Sequence, residues 1–415
     1  MRSGPPAWSK AIRLAFRLLA PPLLVPVLLC ADDTGRCGVC HGDVRVLFEA
    51  GIHHKEQISC VSCHGGDEGS DDLRAAHGGE PSAPARRKIP ELCASCHSDI
   101  GKMKVYNLPT DQYALYQSSQ HGIMLARGNT DVAVCTDCHG VHDIYPRSDP
   151  RSSVYRSNIP KTCARCHSDP ALIKKYHWAS DPYREFAGSV HGRALLEQGD
   201  LGVPDCSRCH GVHGAAPPGV GDVAKVCGQC HGAAREYFEL SPHRSAMAAA
   251  GEPECASCHS NHSTQPAGDV LLGTSCKGCH GAGDPAMKVA REIHDELTDT
   301  RRQVDRASGL IADAEAVPLN VDDYRARLEE ARSYLTESLP AVHSFSLAQV
   351  RAITVRSRSI CEEIIREVQE KLDGLRWRKY GLVIFWFYLI LTLVILTRFK
   401  RGLGAAVEKE ETGQK

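Results

Sequence analysis

Nine copies of Cys-x-x-Cys-His constrain this chain more than any other feature. They are Cys37-Gly-Val-Cys40-His41, Cys60-Val-Ser-Cys63-His64, Cys93-Ala-Ser-Cys96-His97, Cys135-Thr-Asp-Cys138-His139, Cys163-Ala-Arg-Cys166-His167, Cys206-Ser-Arg-Cys209-His210, Cys227-Gly-Gln-Cys230-His231, Cys255-Ala-Ser-Cys258-His259 and Cys276-Lys-Gly-Cys279-His280. Two thiols three residues apart on a tight turn reach the two vinyl groups of one porphyrin, and the following imidazole faces the iron. Paired C-x-x-C also suits zinc, but a zinc ribbon has no need of a histidine behind every pair. The expectation is nine covalent c-type haems, with His41, His64, His97, His139, His167, His210, His231, His259 and His280 as proximal iron ligands.

The motifs take all of the 20 cysteines except Cys30 and Cys361. Thioether formation consumes the thiols, so no structural disulfide is expected. The formal charge of -1 excludes a strongly basic nucleic-acid binder. Aromatics are sparse, with eight Phe and four Trp, and Phe385, Trp386 and Phe387 share one C-terminal run. The cysteine-rich region therefore cannot build an ordinary side-chain core, and porphyrins must take its place. At about 27 residues per motif there is too little chain for a conventional core.

The histidines outside the motifs repeat as well. Ser-x-His, a spacer, C-x-x-C-H-x-x-H and a second C-x-x-C-H recur at Ser119 to His167, Ser189 to His231 and Ser241 to His280. A degenerate copy runs from His53 through His77 to His97, so one leading haem precedes four two-haem modules. Eight histidines recur at matched places and read as distal ligands: His53, His77, His121, His142, His191, His213, His243 and His262. The second histidine of H-x-x-H is too close in sequence to cap its own iron and should reach a neighbouring haem. His177 is the expected ninth distal ligand, in competition with His54 and, farther off, His294. His343 and Cys361 read as packing or surface residues. With five methionines in the chain, Met-ligated haems should be rare.

The ends address the chain. Lys10, Arg13 and Arg17 precede an apolar run from Leu18 to Cys30, a secretory signal with a small residue at Ala31. Leu29 is bulky where a lipid-attachment site wants a small residue, which disfavours lipidation at Cys30. Gly381 to Thr397 is 17 residues without a charge, at the short end of a membrane span. Basic residues flank it on both sides, so export of the haem region, not loop charge, sets the orientation. The expected organisation is 1–31 signal peptide, 32–283 nonahaem domain, 284–379 helical bundle or stalk, 380–399 transmembrane helix and 400–415 cytoplasmic tail. This places the haem domain on the periplasmic side of the cytoplasmic membrane.

The fold class expected is mainly α and irregular with little sheet: short motif helices, and turns such as Asp181-Pro182 and Pro217-Pro218-Gly219. Beyond Asp284-Pro285 the pattern becomes long-helical. Ala286, Ala290, Ile293, Leu297, Thr300, Val304, Ala307, Ile311 and Ala314 form a heptad seam. A break at Val317-Pro318 leads to a second helix with Val321, Tyr324, Leu328, Ala331 and Leu335 inward. A third begins at Ser346, turns Leu347, Val350, Ile360, Ile364, Val368, Leu372 and Leu375 inward, and runs into the membrane span. A three-helix bundle or coiled coil follows.

The repeated units with long helices behind them resemble the exported multihaem cytochrome c superfamily over about Cys37 to His280. That group includes electron carriers, quinol-oxidising membrane modules, and nitrite, hydroxylamine and tetrathionate enzymes. The resemblance implies covalent haem at the nine Cys pairs, proximal motif histidines and distal repeat histidines. Two marks of its enzymes are missing: no motif is C-x-x-C-K, and no catalytic tyrosine can be placed. An electron wire is therefore expected, with no catalytic residue. It would link a membrane quinone-oxidising or haem b subunit to periplasmic cytochromes, a terminal reductase or extracellular acceptors in respiration. The competing class is an oxidoreductase acting on a small nitrogen or sulfur compound at one five-coordinate haem.

Overall fold

A chain with so few apolar residues around its motifs can make helices but has little with which to pack them, and the fold divides accordingly. The computed structural model describes residues 35–412 except 79–82, 215–222, 267, 269–270, 272–273 and 282. The signal-peptide reading, Cys30 and the Pro217-Pro218-Gly219 turn fall outside the described residues. Two compact units emerge, Met1–Asn158 and Ile159–Lys415. The described residues are mainly helical and contain no strand.

In the motif region the helices are short. Ile89–His97 and Ile159–His167 each start with Ile-Pro and end on a motif histidine. Proline presets the backbone for a first helical turn where its missing N–H is not needed. Cys135–His139 and Cys206–His210 are single motif turns. Asp181-Pro182 is a helix start instead of a turn. Asp181 caps Pro182–Gly188 by accepting from the Arg184 N–H at 3.0 Å, and Pro182 occupies the first turn. Few large apolar side chains among the described residues between Cys37 and Gly283 are buried, namely Met103, Leu125, Val134, Leu195, Val226 and Phe238.

Within the second unit the packing changes after Asp284. Its carboxylate caps the first long helix, Pro285–Glu315, by accepting from the Ala286 N–H at 2.9 Å. Asp322–Ala341 and Leu347–Thr412 follow, and all three helices pack on one another. One core cluster joins Val304, Ala307, Ile311 and Ala314 to Val321, Tyr324, Leu328 and Ala331, and to Cys361, Ile364 and Val368. A second, at the opposite end of the bundle, joins Ile293, Ala341 and Val350, with Tyr237 against it. Cys361 is fully buried, and burial pushes its thiol up to about 11, which keeps it inert. The heptad reading missed one feature. Glu296, 6% exposed, accepts from Thr354 Oγ1 at 2.7 Å and pairs with Arg351 and Arg358 at 3.1 Å each. These partners offset the cost of burying its charge.

The third helix continues past the bundle as one 66-residue element. Over Leu347–Gly402 it contains a window of mean hydropathy 2.3 with none of it buried, so it is long and apolar enough to cross a membrane.

Candidate haem-binding sites

The motif turns hold each imidazole at the end of a helical turn, and in the pairs that follow a second imidazole stands opposite. In the first unit His41 faces His77 at 6.2 Å between ring centroids, His53 faces His97 at 6.1 Å and His64 faces His142 at 6.1 Å. In the second, His191 faces His231 at 6.2 Å, His210 faces His262 at 5.9 Å, His243 faces His280 at 6.0 Å and His259 faces His343 at 6.0 Å. Aromatic rings do pair at such distances for their own sake. Here, however, every pair joins one motif histidine to one histidine outside a motif. Metal–imidazole bonds of about 2.0 Å on either side of one ion also put ring centroids about 6 Å apart. Interplanar angles range from 26° at His64–His142 to 87° at His243–His280, as expected where rings turn freely about a shared axis.

Protonation and hydrogen bonding agree with iron ligation. Burial, reinforced by the facing imidazole, holds His53, His142, His191, His210, His243 and His259 below the usual histidine range. Burial alone does so at His97, and dominates at His121. A metal needs the neutral ring. His77 Nδ1 donates to the Leu73 carbonyl at 2.8 Å, so Nε2 is the ring nitrogen left for another partner. His280 Nδ1 lies 2.8 Å from Asp284 Oδ2, the carboxylate–histidine arrangement that orients a ligand.

The left-handed backbone explains H-x-x-H. Gly140 and Gly211, directly after motif histidines, have φ of 87° and 83°. Ser260 holds the same place at φ 63°. This bend turns the chain away from the preceding motif imidazole, so the histidine two residues later points elsewhere. His142 accordingly faces His64, and His262 faces His210, each on the first motif of the preceding module. The Ser-x-His histidines His191 and His243 face the second motif of their own module, as His53 does in the degenerate copy.

The thiols link successive motifs. The Cys93 and Cys135 side chains lie against one another, as do those of Cys163 and Cys206 and of Cys227 and Cys255. Cys63 feels Cys96, and Cys258 feels Cys276. All described cysteines are free. No group of three or more His, Cys, Asp or Glu side chains that could hold a metal ion is found among the described residues. Val39, Val141 and Val212, inside or just behind motifs, are 78%, 60% and 72% exposed, apolar surface that a porphyrin face would cover. Paired imidazoles, adjacent cysteines and bare apolar flanks fit c-type haem.

His121 and His139 lie in the first unit, and His167 and His213 in the second. The His167 ring also stacks on Trp178 at 4.8 Å. His177 is a different matter. It is exposed at the left-handed end of Pro170–Tyr176 and faces no motif imidazole among the described residues. His54 stands edge-on to Phe48. The sequence reading passed over His343, which lies opposite His259.

Residues 52–168 match the family model described as cytochrome c3. No curated protein and no solved structure matches the chain. The match covers less than half of the chain, and within it the chain has the character of a multihaem electron-transfer cytochrome that binds c-type haem.

One substitution tests the pairing across modules. His262→Ala should leave covalent haem content unchanged and convert one ferric iron from low to high spin. That signal should vanish when Cys206→Ala and Cys209→Ala also remove the haem facing His210. A high-spin signal that survives their removal assigns His262 to another iron.

Proposed function

We propose that this chain is a membrane-anchored, periplasmic nonahaem cytochrome c that carries electrons between a quinone-linked membrane partner and periplasmic or extracellular acceptors. The observation that carries this reading is the closure of each facing pair: a motif imidazole on one side, a second imidazole on the other. Haem, when bound, supplies a one-electron iron couple. The protein supplies ligands, spacing and an apolar cover. Chemistry on a small nitrogen or sulfur compound needs an open iron, and two imidazoles leave none. Histidine ligands on both faces also keep potentials below those of His/Met cytochromes.

The test is low-temperature EPR of the oxidised protein together with a pyridine haemochrome count. Nine haems, all low-spin, are expected. A stoichiometric high-spin ferric signal in the unmodified protein would favour the enzyme reading.

The long third helix sets a second constraint. From Leu347, beside the haem region, to Gly381, where the uncharged run begins, a continuous helix rises about 50 Å. A quinone in the bilayer would then be separated from the last haems by the length of the bundle. The membrane partner must therefore bring its own redox centres up to the haem region instead of handing electrons to the base of the stalk. Cutting the chain after Leu375 should release the haem region as soluble protein with an unchanged absorption spectrum. Continued sedimentation with membranes would point to a second anchor or to a tightly held partner.

A further inference from the structure

The register of the repeats leaves the last module one ligand short. His64 is faced by His142 and His210 by His262, so the first motif of a module draws on the module that follows it. No module follows the one that begins at Ser241. The imidazole facing His259 must come from elsewhere, and beyond His280 the chain holds only His294 and His343. His343 stands opposite His259 at 6.0 Å between ring centroids, with 34° between the ring planes.

The turn that carries His343 is built to hold it. Pro340 and Ala341 end the second long helix, and Val342–Ser344 is a tight helical turn before the third. His343 Nδ1 donates to the Pro340 carbonyl at 3.0 Å, which fixes the ring and leaves Nε2 as the nitrogen available to a ligand partner. Ser344, buried, donates from Oγ to the Ala341 carbonyl at 2.7 Å and accepts from the Ser346 N–H at 3.2 Å. Phe345 takes a left-handed backbone at φ 51°, and its ring packs on His243 at 4.1 Å, the imidazole that faces His280.

On the nonahaem reading, we propose that His343 is the ninth distal ligand, closing the iron of the haem attached through Cys255 and Cys258. The bond makes the turn between the second and third long helices a coordination clamp. The stalk thereby meets both terminal haem sites, one through His343 and the other through Phe345 and Asp284. Sequence repetition stops at His280, but the ligand series is completed from the bundle.

The test uses the full-length protein, with haem counted first so that failure of the nonahaem reading is distinguished from failure of this one. A wild-type count below nine overturns the reading on which the assignment rests. With nine haems present, His343→Ala should convert one ferric iron in nine to high spin, and added imidazole should restore it. His177→Ala should change nothing. A fully low-spin His343→Ala protein with nine haems, or a new high-spin iron in His177→Ala, overturns the assignment. If His343→Ala does not accumulate, His343→Met should keep all irons low-spin while one haem in nine titrates at a more positive potential. A titration identical to wild type overturns it equally.

Discussion

Made in a host that cannot attach c-type haem, the chain should lose the fold of its motif region and retain its long helices. Among the described residues of the motif region, Met103, Leu125, Val134, Leu195, Val226 and Phe238 are the large apolar side chains buried between Cys37 and Gly283. Each contributes about 1.5–3 kcal/mol, while ordering each residue's backbone costs about 1–2 kcal/mol. Six such side chains cannot order a stretch of more than 200 residues, and short helices are not stable alone. The bundle is different, with a continuous core from Val304 through Tyr324 and Leu328 to Val368. Limited proteolysis of haem-free protein should leave a helical fragment beginning near Asp284. A resistant haem-free fragment spanning residues 37–283 would refute the view that porphyrin replaces the core.

Much of this was legible in the residues, because covalent haem attachment and ligand repetition are local patterns. The motif helices, the recurrence of eight histidines outside the motifs and the three long helices could all be read from spacing, and six of those histidines face a motif imidazole. What could not be read was partnership across distance. H-x-x-H says that the second imidazole leaves its own iron, but only the left-handed Gly140, Gly211 and Ser260 explain how it turns. The His343 proposal follows from register once the first motifs at His64 and His210 are seen to face a histidine of the next module; spacing alone favoured His177. Glu296 was invisible for the same reason. A charged residue inside a heptad seam looks like an exposed position until Thr354, Arg351 and Arg358 arrive from another helix.

The glycine that follows Ser-x-His offers the largest effect from a single methyl group. Ser189 caps Val190–Leu196, its Oγ accepting from the Gly192 N–H at 3.0 Å. The preceding helix, Pro182–Gly188, ends directly beneath it. A Cβ at position 192 would lie 1.8 Å from the Phe186 carbonyl oxygen and 2.6 Å from its carbon, both rigid backbone. Gly122 has the same relation to Tyr116, with 2.0 Å to the carbonyl oxygen. In the third copy Pro242 begins the helix and Arg244 stands in the glycine's place. Gly192→Ala must push the two helices apart and carry the adjacent His191 away from His231, now 6.2 Å distant. Destabilisation of at least 4 kcal/mol, on the order of the largest single-residue effects, is expected, measured as a fall in denaturant midpoint. In whatever folds, the iron facing His231 should turn high-spin although both its histidines remain in the chain. Arg244→Ala should do neither. If Gly192→Ala keeps wild-type stability and an all-low-spin spectrum, the close crossing of these helices does not position His191.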